Sequence, residues 1–298
     1  MDAEPKITII TPTLNSGNAI EACIRSVAGQ KYKNIEHLIV DGLSTDKTLD
    51  IVQNYAKQYP HIRFVSEKDI GIYDAMNKGI DLANGEWIYF LGSDDLFHSE
   101  TVLEEIFGVE GISQYDFVYG NVIWGDTGTL YDGKFSLLKL MEKNICHQAI
   151  IYKKELFYKL GKFDTDYKTW ADWLFNIKCF TLHGIKINYI DIVLAKFAFG
   201  GHSSLKVVDD YFINNKEKLF KTYFTEEYID INNRLCRIET ELTEKRHLVD
   251  EQANQLSEKD ALICALNNRI DALLGSFSWR VTRPVRALAD LFMPKGNK

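Results

Sequence analysis

Residues Glu86 to Phe97 read Glu-Trp-Ile-Tyr-Phe-Leu-Gly-Ser-Asp-Asp-Leu-Phe, an apolar run that ends in two adjacent carboxylates, Asp94 and Asp95. Such a run, bounded by turn residues, predicts a buried strand. In sheets whose strands alternate with helices, ligands collect in the crevice beyond the carboxyl ends of the strands. Two acids placed there can hold a divalent cation and its anionic ligand, because hard cations take oxygen donors and are often bound by one or two carboxylates plus phosphate oxygens. The competing reading makes the pair an acidic cap for a helix over about 101–107, since Asp is a preferred N-cap residue.

The preceding chain argues for the first reading. Lys6 to Thr11 is a β-branched run closed by Pro12, a first buried strand. Asn15 to Asn18 opens a helix reaching about Gly29, with Ile20, Cys23, Ile24 and Val27 at helical spacing. A second strand, Glu36 to Val40, ends at Asp41-Gly42, and Ser44-Thr45-Asp46 begins a helix carrying Leu49, Ile51, Val52 and Tyr55. A third strand spans Ile62 to Ser66, and the segment from Asp69 to Gly79 leads into a helix that Asn84-Gly85 stops. The order β-α-β-α-β-α-β implies parallel strands, right-handed crossovers and helices on both faces. Its ligand edge gathers the loops at Thr11, Asp41, Ser66 and Asp94.

Beyond Phe107 the pattern loosens. Strands are expected at Asp116 to Trp124, Thr129 to Tyr131, within Cys146 to Tyr152 and at Ile192 to Phe197, with a helix over Trp170 to Leu182.

Composition bounds the function. A chain of 298 residues with 46% apolar content can bury a sizeable core, and a net charge of -7 argues against a broadly basic nucleic-acid binder. Five singly scattered cysteines fit reduced thiols of a cytosolic protein, with neither zinc spacing nor a disulfide framework. The start of the sequence lacks a secretory-signal pattern, and no apolar run approaches the roughly 18 residues of a spanning helix. The expectation is a cytoplasmic protein with peripheral membrane contact only.

From Ile231 the composition turns to Glu, Lys, Asn, Gln and Leu. With a positions at Leu235, Leu242, Val249, Leu256, Ile263 and Ile270, all six are apolar, while the d positions include Lys245, Gln252 and Lys259. This predicts a long coiled-coil helix over 231–274 that makes the chain a homo-oligomer; the alternative is one amphipathic helix folding back on the domain. Residues 275–298 hold five basic side chains against Asp290 alone, a local +4, with Val285, Leu288, Ala289 and Phe292 on one helical face. Arginines and aromatics on such a segment suit an anionic membrane surface or a docking helix for a protein.

Taken together, Thr11-Pro12-Thr13-Leu14-Asn15, Val40-Asp41-Gly42-Leu43-Ser44-Thr45-Asp46, the Asp69 to Gly79 segment, Ser93-Asp94-Asp95 and Ala171-Asp172-Trp173 resemble the family 2 inverting glycosyltransferases of GT-A fold. Among these they look most like bacterial enzymes that build O-antigen or capsule repeat units. The resemblance covers roughly residues 5–205. It implies an α/β GT-A domain over 1–205, with a mostly parallel sheet, a nucleotide-binding half over 1–97 and an acceptor half over 98–205. A helical connector (206–230), the coiled coil and the basic tail complete the expected organisation.

The resemblance also implies roles. Asp95 ligates Mn²⁺ or Mg²⁺ bridging the diphosphate of a UDP-sugar, and Asp94 contacts the ribose or the cation's water shell; Ser93 stands where a stricter Asp-x-Asp pattern has its first acid. Thr11, Pro12, Asp41 and Asp69 line the nucleoside pocket, with Asn77 and Lys78 following, although a polar helix face equally explains Lys78. Asp172 is the general base, an acid among aromatics that desolvate it and, like Trp170, stack on sugar; its alternative is a helix N-terminal acid. His147 is expected near the acceptor or donor sugar, and His202, in a Gly-Gly loop, as a further metal ligand, each with a structural role as its alternative. The acceptor implied is a polyisoprenyl-diphosphate-linked saccharide. A sugar-phosphate nucleotidyltransferase is disfavoured by the lack of a basic Gly-rich loop after the first strand, and a degenerate scaffold by the intact acids.

Overall fold

The computed structural model describes residues 4–125, 127–131, 133–197, 209–276, 280–285 and 287. The chain folds as two units, Met1–Asp230 and Ile231–Lys298. The first begins β1 (Ile7–Thr13), α1 (Ile20–Ala28), β2 (Ile35–Asp41), α2 (Thr48–Gln58), β3 (Ile62–Ser66), α3 (Ile72–Leu82), β4 (Trp87–Phe90) and β5 (Leu96–Phe97). It continues through α4 (Val102–Phe107), β6 (Phe117–Trp124), β7 (Thr129–Tyr131), α5 (Leu137–Glu142), β8 (Ile150–Lys153), α6 (Glu155–Leu160), α7 (Ala171–Thr181), β9 (Ile187–Phe197) and α8 (Asp210–Tyr223).

The strands lie in the order β3-β2-β1-β4-β8-β6-β9-β5, with β7 paired to β6. The first four are parallel, as the βαβ alternation requires. Every residue of β1 and β2 is buried, the pattern of strands covered on both faces. Beyond β4 the sheet becomes mixed: β8 runs antiparallel to both β4 and β6, β9 runs parallel to β6, and β5 closes antiparallel on β9. Asp94 and Asp95 therefore stand not on the end of a strand but in a turn after β4. The Asn15 to Asn18 segment is likewise a loop ahead of α1: Asn15 has a positive φ of 52°, and its Oδ1 accepts from Thr45 N at 2.8 Å.

An aromatic cluster packs α6 and α7 together and against β4. Phe157 of α6 stacks on Phe175 of α7 at 4.6 Å, and Phe90 and Phe163 meet at 5.4 Å. Such pairs contribute about 0.5–1.5 kcal/mol each beyond area burial. Helix α8 packs through Phe212, stacked on Trp173 of α7 at 4.7 Å. The second unit carries most of α9, a helix of 50 residues from Glu226 to Gly275. Among the described residues no helix is long and apolar enough to cross a membrane. Residues Leu288, Ala289 and Phe292 of the expected tail face lie outside the described residues.

Candidate active site

The parallel strands end level with one another, so Thr13 lies beside Asp41 and Asp41 beside Ser66. Asp41 is fully buried; its Oδ2 accepts from Ser44 N at 3.1 Å and from Ser66 Oγ at 2.7 Å. Its Oδ1 and the neighbouring Thr13 Oγ1 are buried without a hydrogen-bond partner among the described residues. An unsatisfied buried polar atom costs about 1–3 kcal/mol, so these two, side by side where the parallel strands end, have hydrogen-bonding capacity to offer a ligand. Asp69 arrives from the loop before α3. Its Oδ1 accepts from Gly71 N at 3.2 Å, and its Oδ2 lies so close to Gly42 that a β-carbon there would collide with it. The absence of a side chain at Gly42 thus lets the Asp69 carboxylate pack against the backbone that directly follows Asp41.

Other expected pocket residues have different work. Thr11 Oγ1 is buried 3.0 Å from His37 Nε2, inside the fold. Burial, with the charge of His61 as a lesser cause, pushes the His37 imidazole down to about 3, so the ring is neutral. Pro12 is a buried residue of β1 beside Val40. Asn77 clamps a backbone: its Nδ2 donates to Phe163 O at 2.8 Å and its Oδ1 accepts from Phe163 N at 3.0 Å. Lys78 Nζ donates to Lys68 O at 2.6 Å and lies 3.2 Å from Glu67 and 3.3 Å from Asp74. Its charge is spent stapling the loop that carries Asp69.

The acidic turn after β4 is tied to the first loop by Ser93 Oγ, 2.8 Å from Ser16 Oγ. A β-carbon at Gly92 would meet Asp95 Oδ2 at 2.5 Å and Asp94 Oδ1 at 3.1 Å, so both carboxylates close over the space that glycine leaves. Asp95 is almost fully buried, and its Oδ2 accepts from Gln148 Nε2. Two carboxylates, one of them partly exposed, fit a cation that completes its shell with phosphate and water. No cluster of three or more His, Cys, Asp or Glu groups occurs among the described residues, and His202 lies outside them.

Asp172, on the first turn of α7, is buried. Its Oδ1 accepts from Tyr73 OH at 2.8 Å and from Trp173 N at 2.9 Å, while its Oδ2 lies 3.7 Å from His147 Nδ1. That last separation is within ion-pair reach but too long for a hydrogen bond. Burial first, and the Asp172 charge second, push the Tyr73 phenol well above its ordinary value, so it stays protonated. Tyr73 OH also lies 2.5 Å from Thr169 O, and Asp209, the N-cap of α8, accepts from Thr169 N at 3.0 Å. Both backbone polar groups of Thr169, three residues before Asp172, are thus held. Trp170 packs edge-on against Trp173 at 5.6 Å and Phe212 at 5.3 Å, supporting α7 and α8.

The two acidic centres meet through consecutive residues. His147 faces Asp172, and Gln148 donates to Asp95 while its Oε1 accepts from Cys146 and its backbone O accepts from Tyr89 OH at 2.6 Å. Sequence reasoning places the Ser66 loop at the ligand edge but does not single out Thr13, Tyr73 and Gln148. The His-Gln pair could have found Gln148 and the alignment of β1 with β2 could have found Thr13, whereas Tyr73 carries no such signal.

The model for "Glycosyl transferase family 2" matches residues 8–179. A "PGL/p-HBAD biosynthesis glycosyltransferase" of Mycobacterium bovis is 40% identical over 215 residues, 71% of this chain and 84% of the relative. Residues 1–349 of S. aureus TarS in complex with UDP-GlcNAc share the fold with a TM-score of 0.59 at 22% identity, over 68% of this chain and 62% of that one. The mannosyltransferase PcManGT from Pyrobaculum calidifontis, in complex with GDP-Man and Mn2+, matches with a TM-score of 0.55 at 21% identity, over 68% and 59% of the two chains. This chain therefore spans less than two thirds of those solved chains. The family match over more than half of the sequence, joined to acids gathered at the sheet edge where the family's motifs fall, makes this chain a member of glycosyl transferase family 2, a glycosyltransferase of GT-A-type fold.

Proposed function

We propose that the protein is an inverting, metal-dependent glycosyltransferase that moves a sugar from a UDP-sugar to a lipid-linked saccharide in bacterial surface-polysaccharide biosynthesis. The observation that carries this reading is the bridge through His147 and Gln148, which sets a buried carboxylate, Asp172, and an acidic turn, Asp94-Asp95, at two ends of one short segment. Transfer of a sugar needs both: a base for the acceptor hydroxyl and a place for the departing diphosphate.

In the proposed reaction the acceptor oxygen attacks the anomeric carbon from the face opposite the diphosphate, and the bond from that carbon to the phosphate oxygen breaks. The hydroxyl proton passes to Asp172 through Oδ2, because Oδ1 is engaged by Tyr73 and Trp173. The bonding pair departs with UDP, and the configuration at carbon inverts. Asp41 Oδ1 accepts the imide N–H of uracil, and Thr13 and Asp69 serve the rest of the nucleoside. Asp95 and Asp94 would hold Mn²⁺ or Mg²⁺, which when bound neutralises charge developing on the leaving diphosphate. The Mn2+ of the PcManGT complex and the UDP-GlcNAc of the TarS complex support these ligand classes.

The acceptor is read as a polyisoprenyl-diphosphate-linked saccharide presented at the inner face of the cytoplasmic membrane, where the basic segment 275–298 binds anionic lipid. The biosynthetic name of the mycobacterial relatives supports a glycoconjugate pathway rather than a choice between O-antigen and capsule. The heptads of 231–274 make the enzyme a homo-oligomer. The test is a screen of UDP-sugars with Mn²⁺ for thermal stabilisation and UDP release; no response to any UDP-sugar would overturn the donor class. Truncation before Ser276 should release the protein from anionic vesicles, and unchanged co-sedimentation would reject the membrane role.

A further inference from the structure

The heptads of α9 specify more than self-association; they specify direction. The a positions from Leu242 to Ile270 are all exposed in the single chain, as are Ile238, Leu266 and Leu273 at d. A stripe of this length is covered in a stable coiled coil. In a parallel, in-register pair each d residue faces its own copy, so Lys245 meets Lys245, Gln252 meets Gln252 and Lys259 meets Lys259. Two layers of the seam would then carry like charges face to face, which disfavours the pairing.

Running the second copy the other way sets d against a. With Leu235 of one chain opposite Leu273 of the other, Lys245 packs on Ile263, Gln252 on Leu256 and Lys259 on Val249 of the second copy. No layer then holds two lysines, and each Lys stem can lie along a branched apolar side chain while its ammonium reaches water. The flanking positions agree. Glu241 faces Arg269 and Arg246 faces Asp260, opposite charges in both cases. Leu248 and Leu262, exposed at 53% and 60% although outside the a and d stripe, come opposite one another. In the parallel arrangement the flanking charges also match, Arg234 with Glu239 and Glu241 with Arg246, but Leu248 and Leu262 face Ala253 and Asn267. The seam lysines and these two leucines therefore decide the direction.

We propose that residues 231–274 pair antiparallel with a second copy of this chain, in the register that sets Leu235 against Leu273. This rests on the reading of the segment as an oligomerising coiled coil, and the experiment separates the two claims. Cys236 and Cys264 are free, exposed thiols at outward positions one residue past a, so the full-length protein carries its own reporters. Of the other three, Cys23 and Cys179 are buried, and the half-buried Cys146 donates its thiol proton to Gln148 Oε1 at 2.8 Å, with burial raising the thiol above its ordinary value. Spin labels go on Cys236 in a Cys264→Ser variant and on Cys264 in a Cys236→Ser variant, and pulsed dipolar spectroscopy reads the distance between copies.

In the antiparallel register Cys236 is level with Ala272 of the second copy, so the two Cys236 labels stand about 54 Å apart along the axis at about 1.5 Å rise per residue. Cys264 is level with Glu244, which gives about 30 Å by the same arithmetic. A long distance at 236 together with a shorter one at 264 supports the proposal. Two short distances, each no more than about 25 Å for helices packed 8–10 Å apart, overturn the antiparallel direction and leave self-association standing. A monomer mass by sedimentation equilibrium at the labelling concentration, with no dipolar coupling, overturns both.

Discussion

Replacing Asp172 by Asn tests the assignment of the base with little disturbance of the fold. The two donors to Oδ1, Tyr73 OH at 2.8 Å and Trp173 N at 2.9 Å, find the same acceptor in the amide oxygen. The change falls on Oδ2, the atom 3.7 Å from His147 Nδ1, where an amide N–H₂ has no lone pair for a proton. General-base catalysis contributes typically about 10²–10⁴-fold, or about 3–5 kcal/mol of barrier. The expected result is a loss of kcat in that range with UDP affinity unchanged and a melting temperature within about 4 °C of wild type, since 1 kcal/mol shifts a unit of this size by about 2–4 °C. The assay is continuous UDP release with the best donor from the screen, alongside calorimetric UDP binding. A loss under about tenfold, with binding and melting intact, would refute the reasoning.

Other parts of the site give separable outcomes. Gly42→Ala puts a β-carbon into the Asp69 carboxylate and should raise the donor KM about tenfold, near 1.4 kcal/mol, with kcat little changed in steady-state kinetics. Asn77→Ala removes both bonds to the Phe163 backbone and should cost about 2–3 kcal/mol in urea unfolding, while UDP binding by the folded protein stays intact. His37 binds its proton at about 3 in the folded chain against about 6.5 unfolded, so the unfolded state holds more protons between those values. Its contribution is complete above about pH 6.5 and falls by about 1.4 kcal/mol per unit as pH drops through that window. His37→Gln should flatten the melting-temperature profile between pH 6 and 4, and an unchanged slope would show that other groups control acid stability.

The parallel half of the sheet was legible in the sequence because its signals are local. Each strand is a short β-branched run, each helix an amphipathic period, and the acids at 41, 69 and 94–95 fall at the end of a strand or on the loops that follow. The mixed half was not, because pairing of β8 between β4 and β6, and of β5 with β9, joins residues far apart in the chain and leaves no periodic mark. The same distinction explains the site residues. Asp172 stood out as an acid in an aromatic stretch, whereas Tyr73, which holds it from 99 positions away, reads as an ordinary first-turn aromatic of α3. Asn77 and Lys78 have polar side chains in the right segment, yet the fold spends them on Phe163 and on the Asp69 loop. Thr11 lies two residues from Thr13 on the same face of β1; only depth in the sheet distinguishes the hydroxyl on His37 from the one at the ligand edge.

The central claim is a division of labour in which Asp94 and Asp95 hold the leaving group and Asp172 takes the proton. Calorimetric titration of UDP into wild type, Asp95→Asn and Asp172→Asn, each with and without Mn²⁺, measures it directly. The account predicts that wild type and Asp172→Asn bind UDP alike and more tightly with Mn²⁺, whereas Asp95→Asn loses the Mn²⁺-dependent part. Retention of that part by Asp95→Asn, or its loss in Asp172→Asn, would contradict the account.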